Sequence, residues 1–450
     1  MEIKEFVIEN KDNFTLDDLD ELINKHRATV NRYNQLMEMY LGNHLILKER
    51  LKVESWKPDN RLVANFAKYI VDTFNGYFMG IPVVTYHENE EANNYINLVE
   101  AYNDIDDNNA ELSKYCDIFG HGYEIIFADE EAQIGIKAID PREGFIVYDN
   151  SIRARALFGV RYKTTEEGAI EGTYSDDNKI YYFTNASGKM RIVDEKDHYF
   201  GRVPMVEYVE NEERKGAFES VETLINAYNK AISEKANDVD YFADAYMKIL
   251  GAELDEKSLE QIKRNRIINM FGADTDKLIV EFMEKPNADD TQENLINRLE
   301  KLIFSISMVA NITDEKFGTS SGIALKYKLQ SMSNLANTKE RKFVKGFSQR
   351  YRIIANYPKA KISPEEASTL HYSFTRNIPN NLSEEADTAL KLKNVVSDET
   401  AIRTLSIVDN VKDELKRIEE EDKFLNPYDE ENHKRADLDE TRTERDKEEA

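Results

Sequence analysis

Cys116 and His121 lie five residues apart, close enough along the chain to offer a thiol nucleophile and an imidazole base. They fall on a predicted helix end and in the turn Gly120-His121-Gly122, and they read as a core thiol and a turn histidine. His44 has no other ligand type near it in Tyr40-Leu41-Gly42-Asn43-His44, and the acid pair Asp106-Asp107 sits in a hydrophilic segment. No metal-ligand set is legible. Gly-x-x-x-x-Gly-Lys-Ser/Thr, Gly-x-Gly-x-x-Gly after a strand and Gly-x-Ser-x-Gly are all missing, so neither a phosphate cradle nor a serine-hydrolase elbow is supported and no cofactor is expected.

Charge chemistry is more informative. After Gly322 the chain carries Lys326, Lys328, Lys339, Arg341, Lys342, Lys345, Arg350 and Arg352 against the single acid Glu340, in a protein whose formal net charge is -26. That basic run must meet acidic neighbours in an assembly or face a polyanion. Just before it, Thr313 to Gly322 combines two glycines with the hydroxyls of Thr313, Thr319, Ser320 and Ser321 around Lys316 and Phe317. Such residues bond their own backbone and break a helix. Further upstream, Lys263, Arg264 and Arg266 follow Glu253, Asp255 and Glu256, placing both signs of charge in one short insert.

Helices must position these groups. Leu295, Leu299, Leu302, Ile303, Ile306 and Val309 repeat at three and four within Thr291 to Ala310, and Leu325, Leu329, Met332, Leu335, Phe343, Phe347 and Tyr351 hold one stripe behind the loop. About thirty residues of helix make a rod of roughly 45 Å, with Gly346 as its expected kink point. Glu219 to Met247 reads as a partner helix. It leaves Asn226, Asn229, Glu234 and Asp238 on faces that a symmetry-related neighbour could satisfy. The insert of residues 248–286 between the two has a short helix near Leu259 to Ile262 and strands at Arg266 to Phe271 and Leu278 to Glu281.

Towards the N-terminus, helices are expected from Asp17 to Tyr40, capped near Thr15, from Asn60 to Tyr77, and from Tyr95 to Phe119, with a strand at Val83 to Tyr86. A half-exposed antiparallel sheet should follow, with strands Tyr123–Ala128, Ile134–Ile139, Gly144–Tyr148, Ala156–Lys163, Lys179–Thr184 and Met190–Val193. Beyond the long helix come a strand at Leu370 to Thr375 and polar helices capped by Ser383 and Ser397. Asp429 to Ala450, with ten acids, five bases and one leucine, reads as disordered. The start Met1-Glu2-Ile3-Lys4-Glu5 shows no signal peptide, no run approaches eighteen apolar residues, and a lone cysteine excludes an intrachain disulfide. Acids outnumber bases 86 to 60, which argues against a freestanding nucleic-acid binder.

Six phrases, taken in order, resemble the portal proteins of tailed double-stranded DNA bacteriophages. They are Tyr40-Leu41-Gly42-Asn43-His44-Leu45-Ile46; Asn60-Arg61 through Asn65-Phe66-Ala67 to Gly80-Ile81-Pro82-Val83; Asp140-Pro141-Arg142-Glu143 with Tyr148-Asp149; Val203-Pro204 with Glu207-Tyr208; Phe218-Glu219-Ser220-Val221 with Leu224 to Asn229; and Ser320-Ser321-Gly322-Ile323-Ala324-Leu325-Lys326. The match covers residues 40 to 330, and specificity lies in order and spacing.

The resemblance implies an α+β ring subunit. Its parts would be a wing of helices and antiparallel strands at 1–218, stem helices at 219–247 and 287–311, and a small α/β clip at 248–286. A tunnel loop at 312–322, the long helix with a return to the wing at 323–382, crown helices at 383–424 and an acidic tail at 425–450 would complete it. It further implies a ring of about twelve copies at the capsid vertex, assembled in the host cytoplasm, with capsid and scaffolding proteins beside it. Terminase motor and head-tail connector proteins would dock on the clip residues Lys263, Arg264 and Arg266. Duplex DNA would pass Lys316, Phe317, Thr319, Ser320 and Ser321 without tight binding. Such a conduit is no enzyme and needs no membrane. A nucleic-acid-processing enzyme and a helical scaffold without a DNA role are the competing classes.

Overall fold

The structure is a computed structural model that describes residues 6–9, 11–49, 58–243, 247–250, 279–282, 289–312, 322–378, 382–393, 395–405, 407–408 and 411–425. Its class is α+β. Two compact units divide at Asn377.

The first unit begins with β1 (Val7–Ile8) and α1 (Leu16–Tyr40). Thr15 caps α1 through a reciprocal capping box with Asp18, as its position before an apolar-periodic run predicts. After the single turn α2 (Leu45–Lys48), α3 starts at Phe66 and ends at Met79 rather than starting at Asn60. Residues 58–65 are not helical, because the side chains of Asn229, Ser233 and Asn237 take their backbone donors. The helix expected from Tyr95 to Phe119 is two helices, α4 (Glu90–Tyr102) and α5 (Ile105–Phe119). Asn103 sits at the break: its amide donates to the carbonyls of Val99 and Ile134 and accepts from the Ile136 N–H, while Asp104 adopts a φ of 46°. A side chain that bonds the adjacent strand competes with the helix for its own backbone.

The strands are β2 (Val84–Tyr86), β3 (His121–Ala128), β4 (Ile134–Ile139), β5 (Gly144–Asp149), β6 (Ala156–Thr164), β7 (Ile170–Ser175), β8 (Lys179–Thr184), β9 (Arg191–Asp197) and β10 (Met205–Val209). One sheet runs β1-β5-β6-β7-β8-β9 and a second runs β10-β3-β4. All pairs within them are antiparallel except β1 on β5. Exposure rises across the larger sheet: Phe145, Ile146 and Val147 of β5 are buried, whereas every residue of β9 is exposed. Asp194, Glu195, Lys196 and Asp197 charge that open edge, a common guard against edge-to-edge pairing. Phe6, Leu19 and Ile23 close the core against Phe145, Phe158 and Val160.

His26 of α1 is buried in this core between the Tyr162 hydroxyl at 2.8 Å and the Pro141 carbonyl at 2.9 Å. Burial pushes its pKa down to about 4. A folded pKa below the unfolded value means stability that is full above about 6.5 and is lost as pH falls towards 4, worth roughly 3 kcal/mol. His26→Gln should therefore flatten the fall in melting temperature between pH 6.5 and 4; an unchanged slope would show that other groups set it.

The chain continues through α6 (Glu222–Ala243), β11 (Met247–Leu250), β12 (Ile279–Phe282), α7 (Asp289–Ser307), α8 (Gly322–Ile354), α9 (Pro364–Ser368) and β13 (His371–Ser373), which pairs with β2. The second unit holds α10 (Leu382–Leu392), α11 (Asp398–Ile402) and α12 (Val411–Leu425). The sequence suggests one helix from Ser397 to Glu421; two are found, with Ser397 capping the first through the Thr400 N–H. The tail from Asp429 lies outside the described residues.

Candidate functional site: the loop-bearing helices and the helix behind them

The helices α6 and α7 pack as a pair: Lys235 meets Glu293, and the Gln292 amide donates to Asp238 at 3.1 Å. The antiparallel β11 and β12, in register from Met247↔Phe282 to Leu250↔Ile279, join them and bracket the insert. Lys263, Arg264 and Arg266 lie outside the described residues, as do Lys316, Phe317, Thr319, Ser320 and Ser321.

A helical face reads an extended backbone along α6. Asn237, Ser233 and Asn229 stand four apart and accept from the N–H groups of Asn60, Leu62 and Ala64 at 2.5, 2.9 and 2.8 Å. Four helical residues advance about 6 Å and two extended residues about 6.6 Å, so the two ladders stay in phase. Asn229 also donates to His44 at 3.1 Å and is fully buried. This corrects the expectation for Asn229 and Asp238 of α6. Asn229 and Asp238 are bonded within the chain, and Glu234 lies 3.9 Å from Lys230. A neighbouring copy is not what satisfies Asn229 and Asp238, whereas Glu234 is exposed and Asn226 Oδ1 is buried with no hydrogen-bond partner among the described residues.

The chain just past α7 is pinned from α3. Tyr69 accepts the Ile312 N–H at 2.9 Å and donates to the Ala310 carbonyl at 3.4 Å, while Phe66 and Tyr69 both pack edge-on to Phe304 of α7. Leu295, Leu302 and Ile306, at spacings of seven and four, are an exposed apolar row on α7.

Further along the chain, α8 runs for 33 residues. It continues through Gly346, which serves a different purpose from the kink expected there. A Cβ at that position would meet the Tyr208 ring at 2.3 Å, and Tyr208 is fully buried with its hydroxyl donated to Glu124 at 3.1 Å. Gly346→Ala gains about 1 kcal/mol of helix propensity but forces an overpacking cost of about 1–3 kcal/mol. Thermal unfolding should show net destabilisation; a stabilised variant would mean the ring can move aside.

The basic residues of α8 divide in two, and this is the main correction to the sequence reading. Lys339 and Arg350, separated by three helical turns, point inward on the same stripe as Phe343 and Phe347, and both are buried. Lys339 Nζ lies 2.7 Å from Asp117 Oδ1 and 2.9 Å from Glu210 Oε2, among the rings of Phe74, Phe78 and Phe343. Arg350 grips Glu124 with two bonds of 2.8 and 2.6 Å and donates to Asn109 at 2.7 Å. Glu124 also accepts from Asn108 and Tyr208, so its oxygens are well supplied. Burial pushes Asp117 well up, against the pull of Lys339, whereas Lys339 and Arg350 are held protonated by their acids in spite of burial. Lys342 pairs with Glu212. Thus Lys339, Lys342 and Arg350 spend their charge inside the chain. Lys328, Arg341 and Lys345 stand exposed, and the Lys326 side chain lies outside the described residues.

Cys116 is buried, donates to the Tyr208 carbonyl at 3.5 Å, and is pushed well up by burial, which leaves no reactive thiolate. His121 opens β3 instead of lying in a turn. It bonds Tyr33 at 2.8 Å and Glu207 at 3.1 Å. Burial alone would raise the Glu207 carboxyl, but His121 and a two-bond grip from Arg214 hold it far below the usual range. These groups form structural ion pairs around β10. Among the described residues no group of three or more His, Cys, Asp or Glu could hold a metal ion, and no helix is long and apolar enough to cross a membrane.

This arrangement is a helix pair and a long third helix held on an ion-paired core. The chain matches the family described as phage portal protein, SPP1 Gp6-like, across residues 19–427, and it belongs to that family. It is 25% identical over 403 residues to the portal protein of Bacillus phage SPP1, covering 84% of this chain and 78% of that one. It is 21% identical over 440 residues to the portal protein of Clostridium phage phiCD119, covering 91% and 96%. A solved structure, the neck of an empty GTA particle computed with C6 symmetry, aligns with a TM-score of 0.44 and 11% identity over 75% of this chain and 89% of that one.

Proposed function

We propose that this portal-family chain is one subunit of a closed ring of about twelve copies at a single capsid vertex, through which duplex DNA is packaged and ejected. The observation that carries this reading is α8. A 33-residue helix anchored in the core by Lys339 and Arg350 presents the segment after Ile312 from a rigid base, while Tyr69 holds the other end of that segment. Flanks held so firmly suit a segment that constricts a channel. The exposed row Leu295, Leu302 and Ile306 suits burial against an adjacent copy.

In this reading residues 1–218 are wing, α6 and α7 with their flanks are the stem, 248–286 the clip, 312–322 the tunnel loop and 383–424 the crown. The clip, through Lys263, Arg264 and Arg266, docks the terminase motor and later the head-tail connectors, and capsid and scaffolding proteins surround the wing. The motor supplies the chemistry, so the ring has none of its own. Phosphates pass without being gripped, since every neutralised phosphate would add affinity that slows transport.

Reversing charge at Lys263 and Arg264 together should leave rings intact and stop DNA packaging in infected cells. Packaging at the parental level would remove the clip assignment. Single cysteines at Lys316 and Thr319 should crosslink between subunits or to trapped DNA. Cys116 can stay in place because it is buried. Free reaction of both positions with bulky maleimides that cannot enter a channel would place the loop outside it.

A further inference from the structure

The first unit contains a cleft of about 910 Å³ bounded by β5, β6, β10 and α8. Eight cations and three acids line it, a local excess of five positive charges in a chain of net charge -26. All three acids are already engaged: Asp177 with Lys11, Glu207 with Arg214, and Glu212 with Lys342. Arg153, Arg155, Arg202 and Arg352 are exposed and make no ion pair among the described residues. The apolar floor that reaches solvent is Ala156, Leu157 and Val209, while Ile146, Val203, Met205 and Ile353, also in the lining, are buried.

We infer that this cleft docks an acidic peptide segment of another protein, one that carries an apolar side chain between its carboxylates. Planar guanidinium groups match carboxylates with two bonds each, which favours arginine over lysine at such a rim. The floor decides between polyanions. A nucleic-acid backbone presents phosphates at its surface and would leave Ala156, Leu157 and Val209 wet, whereas a peptide side chain covers them. Electrostatic excess at the rim steers the segment in, and the apolar contact holds it. None of the lining residues belongs to 248–286 or 312–322, and the site stands whether or not the ring reading does.

The test uses the full chain in its assembled state and a fluorescent peptide of alternating glutamate and leucine, with anisotropy as the readout. Saturable binding is expected. Arg153→Glu, Arg155→Glu and Arg202→Glu together should weaken it on the order of ten-fold or more. Those side chains are exposed, so the triple variant should melt like the parent. Leu157→Ser should weaken the same peptide but not one in which serine replaces leucine. A single-stranded oligonucleotide of equal charge should bind more weakly. Equal or tighter binding of the oligonucleotide would overturn the proposal in favour of a nucleic-acid site. An absence of peptide binding to the assembled protein, or peptide affinity untouched by the triple reversal, would also overturn it.

Discussion

Arg350→Met should be among the most damaging single substitutions in the chain, costing about 3–5 kcal/mol, because it leaves the Glu124 carboxyl buried without its cation. The magnitude follows from geometry. Arg350 and Glu124 are both almost wholly enclosed, and their two bonds of 2.8 and 2.6 Å tie α8 to β3 across 226 residues of sequence. Asn109 and Tyr208 lose a partner or a neighbour in the same event. Arg350→Lys should fall between parent and methionine, since it restores charge without the planar fork. Urea unfolding of the three proteins checks this; a methionine variant within about 1 kcal/mol of the parent would mean Glu124 is otherwise satisfied.

Lys339→Met should cost a similar 3–5 kcal/mol near neutral pH, and that cost should depend on pH. It strands two carboxyl groups, Asp117 and Glu210, in one buried site. Burial raises Asp117 well above its ordinary value even with the lysine present, and the lysine works against that rise. A carboxyl whose folded pKa is raised contributes stability that is full below the unfolded value of about 3.9 and is lost as pH rises through the folded one. The gap between Lys339→Met and the parent should therefore narrow at acid pH and widen towards neutrality. Asp117→Asn in the Lys339→Met background should recover much of the loss. A gap that stays constant with pH would show that the lost lysine matters for packing against Phe74 and Phe78, not for charge.

The apolar stripe of α8 is legible in sequence, and so is the helix pair flanking an insert, because 3.6-residue periodicity over many turns leaves little alternative. What charge counting misses is direction. Lys339 occupies the gap between Ala336 and Phe343 on the buried stripe, and Arg350 adjoins Phe347 and Tyr351, so helical register alone marks both as inward-facing. Their partners cannot be read the same way, since Asp117, Glu124 and Glu210 are more than a hundred residues away. Strand β7 escapes notice because Glu171, Gly172 and Thr173 interrupt its alternation, and Gly172 is there because a Cβ would lie 2.2 Å from the Arg161 carbonyl. The run of residues 60–65 looks helical for a related reason. Its conformation is set by Asn229, Ser233 and Asn237 of another element, not by its own sequence. The basic cleft gathers Arg153, Arg202 and Arg352 from separate segments, so no single window can display it.

Electron microscopy of the purified full-length protein tests the ring most directly. Closed rings with a central channel, of a mass equal to about twelve 52.2 kDa chains, are the predicted result. Particles that remain monomeric at micromolar concentration and physiological salt, with the row Leu295, Leu302 and Ile306 open to water, would contradict it.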